Sequence, residues 1–273
     1  MVAIPPPQPP APRPAMPGRR RFAALRTVVA LMLREMSTRY GNTPGGYLWA
    51  VVEPLAAIVV LSIGFSLIMR SPSLGTTFIL FYATGYLPFD LFQSLSKKIG
   101  NAINFSRPLL KYPAVTWVDA VLARFLLNSL TAILVTILLL AGILILTENR
   151  AALDLPPVLL AMAEAMLLGL AVGTLNCALI GLFPIWDIAW TIITRPLFLA
   201  SGIFYLYEDL PPLAQDILWF NPLIHIIGRM RMGFYPTYAP QYIDGTFVFG
   251  VSLALLAMGL ILLGRYHRDI LNR

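Results

Sequence analysis

The sequence predicts an all-α polytopic membrane protein: six transmembrane helices, an N-terminal amphipathic interface helix before them, and a re-entrant periplasmic hairpin before the last span. Three observations carry this. Hydrophobic residues make up 58% of the 273-residue chain and charged ones only 12%, against roughly 45–50% and about 25% in soluble domains. A water-soluble globule of this length cannot hide so much apolar surface, so lipid is the solvent for most of the chain. Six segments stay apolar for about 20 residues, the length that crosses a hydrocarbon core of roughly 30 Å. Lys and Arg are distributed unevenly between those segments, as the cytoplasmic bias of basic residues requires.

In chain order, residues 1–21 read as a disordered, proline-rich cytoplasmic tail, since Met1 to Gly18 lack the basic-then-apolar order of a signal peptide. Phe22, Leu25, Val29, Met32 and Met36 then recur at three-and-four spacing while Arg26 and Arg34 point elsewhere. That pattern predicts a helix from Phe22 to Tyr40 lying flat on the cytoplasmic membrane surface, or else packed on a partner. The membrane domain covers 22–264, with spans from Tyr47 to Met69, Thr76 to Leu95, Trp117 to Leu146, Pro157 to Leu182, Ile188 to Leu206 and Thr246 to Gly264. The third is long enough to project about one or two turns past the bilayer. Between the fifth and sixth, Ile217 to Tyr235 is apolar but broken at Asn221-Pro222, too short to cross, and reads as a pair of interfacial or re-entrant half-helices. Residues 265–273 form a basic cytoplasmic tail.

Orientation follows from counting. Arg13, Arg19, Arg20, Arg21, Arg26, Arg34, Arg39, Lys97, Lys98, Arg107, Lys111, Arg265, Arg268 and Arg273 fall on one side, and only Arg70, Arg150, Arg229 and Arg231 on the other. Both termini are therefore cytoplasmic. The formal charge of +7 reads as these residues facing anionic lipid, with no nucleic-acid partner.

The chemistry-bearing residues exclude more than they assemble. His225 and His267 belong to no ligand cluster, so no metal site is expected. No G-x-x-x-x-G-K-[ST] sequence is present, which leaves any ATP-driven work to another subunit. The single cysteine, Cys177, excludes an intramolecular disulfide and reads as a buried, inert thiol. Glu53 before Pro54, Glu164, and Arg195 before Pro196 stand inside spans, each either lining a polar path or forming an intramembrane pair. Gly169 and Gly173 have the spacing of close helix approach. Aromatics crowd the second span (Phe78, Phe81, Tyr82, Tyr86, Phe89, Phe92) and the fifth (Trp186, Trp190, Phe198, Phe204, Tyr205, Tyr207), as interface anchors or as stacking platforms for sugar rings. The loop KKIGNAINFSRPLLKYPAVT, Lys97 to Thr116, has basic and apolar residues side by side and reads as a segment docked in a partner's groove, or as a passive connection.

Several stretches resemble the KpsM-like permease subunits of capsular polysaccharide ABC exporters, a type 2 ABC exporter permease family. These are LREMSTRYGNTPGGYLWAVVEP (Leu33 to Pro54), ATGYLPFDLF (Ala83 to Phe92), SRPLLKYPAVTWVDAVLAR (Ser106 to Arg124), RPLFLASGIFYLYEDLP (Arg195 to Pro211) and NPLIHIIGRMRMGFYPTY (Asn221 to Tyr238). The resemblance spans nearly everything after Leu33, and the proline-rich tail has no counterpart in it. It implies a homodimer bound to two copies of a KpsT-like cytoplasmic ATPase, with ATP and Mg on that partner and no cofactor in this chain. The cargo implied is a lipid-linked acidic polysaccharide leaving across a Gram-negative inner membrane, toward a periplasmic copolymerase and an outer-membrane channel. It implies that Arg107, Pro108, Leu109, Leu110, Lys111, Tyr112 and Pro113 receive the ATPase stroke. The substrate path is expected to take Trp49, Glu53, Tyr82, Tyr86, Arg195 and Tyr205, and the resemblance implies that Leu206 to Tyr238, with the hairpin residues Asn221, Arg229 and Arg231, caps the exit.

Competing readings are a permease for O-antigen or teichoic acid glycans or for a small amphiphile, and, from another class, a membrane-embedded sugar transferase. The transferase needs carboxylates or histidines gathered at one depth, whereas Glu53, Asp90, Asp119 and Glu164 are scattered over four spans. A plain membrane anchor has no use for intramembrane charges.

Overall fold

Ten α-helices and one 3-10 turn make up the regular structure of the computed structural model, which describes residues 23–40, 46–110, 112, 115–147 and 153–272. The helices are α1 (Ala23–Tyr40), α2 (Leu48–Ser66), α3 (Phe78–Gly100), α4 (Ala102–Leu110), α5 (Trp117–Leu146), α6 (Leu155–Leu182), α7 (Ile185–Leu199), α8 (Pro212–Leu218), α9 (Pro222–Phe234) and α10 (Gly245–Asn272), with the 3-10 turn at Tyr207–Asp209. The proline-rich tail, Phe22, Lys111, Pro113, Arg150 and Arg273 lie outside the described residues.

Four of these helices, α2, α5, α6 and α10, are long and apolar enough to cross a membrane. The other two predicted spans are helical but differ in kind. The segment from Thr76 becomes α3, which runs past Leu95 to Gly100 and carries Asp90, Gln93, Ser94, Lys97 and Lys98. The segment from Ile188 becomes α7, only 15 residues long. The third span matches α5 residue for residue. It starts at Trp117 because Thr116 and Asp119 form a reciprocal capping box: the Asp119 amide donates to Thr116 Oγ1 at 3.2 Å and the Thr116 amide donates to Asp119 Oδ2 at 2.9 Å. The predicted break at Asn221-Pro222 separates α8 from α9, with the Leu223 amide donating to the Asn221 side chain at 3.1 Å and Pro222 in the first turn. Residues 265–272 of the predicted basic tail continue α10 as helix, and Ile270 among them is buried.

The core is built on α3. Its Leu80, Phe81, Phe89, Phe92, Leu95 and Ile99 are all buried, and α6 lies against it at glycine positions. A Cβ on Gly169 would stand 2.8 Å from Leu95 Cβ, and one on Gly173 would stand 2.7 Å from Ile99 Cβ. The Gly169/Gly173 pair therefore lets the two backbones close up. On the far side of α6, α10 comes equally near, since a Cβ on Gly259 would be 2.7 Å from the Leu175 amide nitrogen. By contrast α2 buries only Pro54, Ile58 and Ser62, and α7 only Thr194.

Helix α1 has two apolar faces. Val28 and Leu31 are buried with Ala123 of α5, beside Met32, Leu109 and Val115. Leu25, Val29, Leu33 and Met36 form an exposed stripe on the other side. Met32 thus turns toward α5, away from the stripe predicted for it, because the α5 contact competes for the same helix surface.

Candidate functional site

A cavity of about 690 Å³ opens between α1, α2, α3, α4 and α5. One wall is a stripe of α3 side chains at helical spacing, Tyr86, Asp90, Gln93, Ser94 and Lys97, continued by Asn101 just past its end. Opposite stand Asn128, Thr131 and Thr136 of α5, while Trp49 and Glu53 of α2 form an exposed rim. Carboxylates, carboxamides and hydroxyls here share the space with Trp49, Tyr86 and Phe105. Flat apolar faces beside fixed polar groups are what a sugar ring requires, with its C–H faces stacked and its hydroxyls paired.

Of the six residues predicted for the path, Trp49, Glu53 and Tyr86 come together here. Tyr82 does not: it is 1% exposed, with ring centroids of Phe65 and Phe81 at 5.2 and 5.3 Å. It is one α-helical turn from Tyr86, but the close contact of α2 and Phe204 seals that face. Arg195 is exposed on α7, away from the cavity, and Tyr205 lies in the turn after α7, where its carbonyl accepts from Arg231. Sequence reasoning missed Asp90, Gln93, Lys97, Asn128 and Thr131. Their signal was present as polar residues recurring every three or four positions through otherwise apolar segments.

At one end of the cavity an ion pair ties α1 to α5: Arg124 Nε lies 3.4 Å from Glu35 Oε2, with both side chains buried. Arg124 also donates to the Lys98 carbonyl and stands 4.2 Å from the centre of the Phe105 ring. Arg34 of α1 covers the same ring at 5.3 Å. Phe105 of α4 is thus held by two guanidiniums from two other helices. Within the predicted coupling segment, Pro108 sits inside α4. Leu110 is buried in the core and Leu109 packs on α1. Tyr112 is 64% exposed. Arg107 reaches across to α10, donating from Nη2 to the Leu271 carbonyl at 3.2 Å.

The residues predicted for the hairpin are structural ties. Asn221 caps α9 and donates from Nδ2 to the Ala200 carbonyl at 2.8 Å. Arg229 pairs through Nε with Glu164 Oε2 at 3.0 Å, so Glu164 is half of an ion pair and does not line the cavity. Arg231, 2% exposed, donates to the carbonyls of Tyr205 and Ile203 at 2.9 and 3.0 Å and lies 4.1 Å from the Phe81 ring centre. His225 accepts at Nδ1 from the Asp244 amide at 3.1 Å, which leaves its proton on Nε2, 2.8 Å from the Trp219 carbonyl. Burial holds its pKa below the ordinary value.

The chain has clear relatives. The ABC-2 type transporter family matches residues 26–235. The polysialic acid transport protein KpsM of Escherichia coli is 30% identical over 236 residues, covering 86% of this chain and 92% of its own. The capsule polysaccharide export inner-membrane protein BexB of Haemophilus influenzae is 28% identical over 245 residues, 90% of this chain and 92% of its own. Its counterpart CtrC of Neisseria meningitidis serogroup B is 24% identical over the same length and shares.

Proposed function

This chain belongs to the ABC-2 type transporter family, and we propose that it is the inner-membrane permease subunit through which a separate ATPase drives export of a lipid-linked capsular polysaccharide. The observation that carries the substrate class is the α3 stripe. A helix that presents Asp90, Gln93 and Lys97 among membrane-crossing neighbours needs a polar occupant, because lipid satisfies none of these groups. The names of the KpsM, BexB and CtrC relatives support a polysaccharide as that occupant.

On this reading α3 and α7 complete six spans with both termini cytoplasmic. The exposed stripe of α1 rests on the cytoplasmic leaflet, and α8–α9 forms the periplasmic hairpin. The acidic glycan enters past Trp49 and Glu53. A second copy of the chain covers the sparsely buried α2 and α7, and its homodimer binds two ATPases that carry ATP and Mg. Tyr112, with Arg107 and Pro108, faces the ATPase. A periplasmic copolymerase and an outer-membrane channel take the polymer onward.

The test compares Tyr86→Ala with Tyr82→Ala at equal membrane abundance, reading glycan at the cell surface and inside. Loss of a stacking platform, worth about 1 kcal/mol or more, lowers surface glycan for Tyr86→Ala and raises the internal pool. Tyr82→Ala acts through stability alone. Unchanged export after replacement of Trp49, Glu53, Tyr86 and Asp90 together would remove the cavity from the path.

A further inference from the structure

The last helix joins two places that the transport reading assigns to opposite sides of the membrane. At its C-terminal end, Leu271 accepts the hydrogen bond from Arg107 of α4. A guanidinium there also meets the negative end of the α10 dipole. One residue earlier Ile270 is buried against α6, where a Cβ on Gly181 would stand 2.6 Å from Ile270 Cγ2. At its N-terminal end, the Asp244 amide donates to His225 of α9. Phe247 follows, with its ring centre 4.9 Å from that of Trp219 between α8 and α9. Between these ends α10 is helical for 28 residues, about 42 Å at 1.5 Å per residue, and free of proline. Its midpoint meets the α6 backbone at Gly259.

We infer that α10 is a rigid strut that carries the movement of α4 to the periplasmic hairpin, with Arg107 and the Gly181–Ile270 seat as its cytoplasmic clasp. This rests on the reading of α4 as the ATPase-facing segment. A helix clasped at both ends and seated at its middle transmits displacement of one end to the other, because helical hydrogen bonds resist local shortening. Movement of α4 together with the end of α6 that seats Ile270 therefore appears at His225 and Trp219 without passing through the cavity. In this arrangement Arg107 is a positioning residue: it acts on the exit through α10.

The test uses the full chain co-expressed with its ATPase, in a Cys177→Ser background carrying Phe220→Cys as a periplasmic reporter. Phe220 is 71% exposed next to Trp219. The rate of thiol labelling is read with and without a non-hydrolysable ATP analogue, alongside ATPase recovery and surface glycan. In the parent, nucleotide changes the labelling rate. Gly181→Ala pushes Ile270 off its seat; the ATPase still co-purifies, the nucleotide response disappears and export falls by about tenfold, within the range of mutations along coupled networks. Gly181→Ala with Ile270→Ala makes room for the new methyl and restores both. A full nucleotide response and full export in Gly181→Ala overturn the strut. Loss in Gly181→Ala without rescue in the pair also overturns it, because that pattern is structural damage. A parent chain that recovers no ATPase sinks the ATPase reading itself, which a parent that holds ATPase but shows no response at Phe220→Cys does not; that second result sinks the strut alone.

Discussion

Replacing Glu164 with glutamine should be among the most damaging single changes where α6 meets α9, although Glu164 does not line the cavity. Its side chain has no exposure and its Oε2 sits 3.0 Å from Arg229 Nε, whose own side chain is 16% exposed. The other oxygen, Oε1, has no hydrogen-bond partner among the described residues. Glutamine keeps the shape but leaves the Arg229 charge without its counter-ion between α6, α9 and the start of α10, where Gly245 leaves no room to move: a Cβ there would stand 2.8 Å from Arg229 Nη2. Breaking one side of a buried pair costs roughly 3–5 kcal/mol, and residual exposure of Arg229 puts the expectation at about 3 kcal/mol. In a chain of this size that lowers the midpoint of thermal unfolding by roughly 6–12 °C. Removing both charges, as Glu164→Gln with Arg229→Gln, leaves no orphan charge and should recover about 2 kcal/mol of the loss. The assay is a double-mutant cycle on purified protein in one detergent, followed by the fraction remaining monodisperse after heating. Additive effects of the two replacements, with no recovery in the double variant, would refute the claim that this pair holds α6 to α9.

Two further outcomes follow from the same geometry. His225 is kept neutral by burial, which outweighs its hydrogen bond to the Trp219 carbonyl, so below about pH 6.5 the unfolded chain binds a proton that the folded chain refuses. Stability is therefore fully present above that pH and declines as pH falls through the window beneath it, at no more than about 1.4 kcal/mol per pH unit; His225→Gln should remove this slope, and equal slopes in parent and variant would dismiss the assignment. In the coupling segment, Tyr112→Ala should lower ATPase co-purification with a stability change within about 0.5 kcal/mol, whereas Leu110→Ala should cost about 2–4 kcal/mol of stability. Normal ATPase recovery with Tyr112→Ala would leave the segment a mere connection.

Much of the helix layout was legible because its causes are local. Thr116 and Asp119 are three residues apart and set the start of α5; Asn221 and Pro222 are adjacent and set the start of α9. The site was less legible, since it depends on which neighbour covers each face. Tyr82 and Tyr86 look alike in the sequence, and only the packing of Phe65 and Phe204 separates a sealed ring from a cavity wall. Glu164 and Arg229 are 65 residues apart, so neither could be assigned its partner from spacing. The extension of α10 through the basic end was hidden for another reason. Charges there suggested a solvated tail, while the single buried Ile270 holds the last two turns in place.

Pro54 of α2, which lines the cavity together with Ala50, has a consequence for how recognition is mapped. Proline has no amide hydrogen, so the Ala50 carbonyl lacks the donor that residue 54 would otherwise supply inside the helix. The Ala50 carbonyl is therefore a main-chain acceptor without its helical donor, on a residue that lines the cavity; it does not titrate, does not change rotamer and belongs to no side chain. Scanning the lining with alanine, residue by residue, leaves this acceptor untouched everywhere except at Pro54 itself. There the replacement restores a helical hydrogen bond and makes α2 straighter and more stable, while withdrawing the oxygen from whatever passes. A functional map drawn from side-chain truncation alone will thus record Pro54 as a gain in stability and miss the group that was lost.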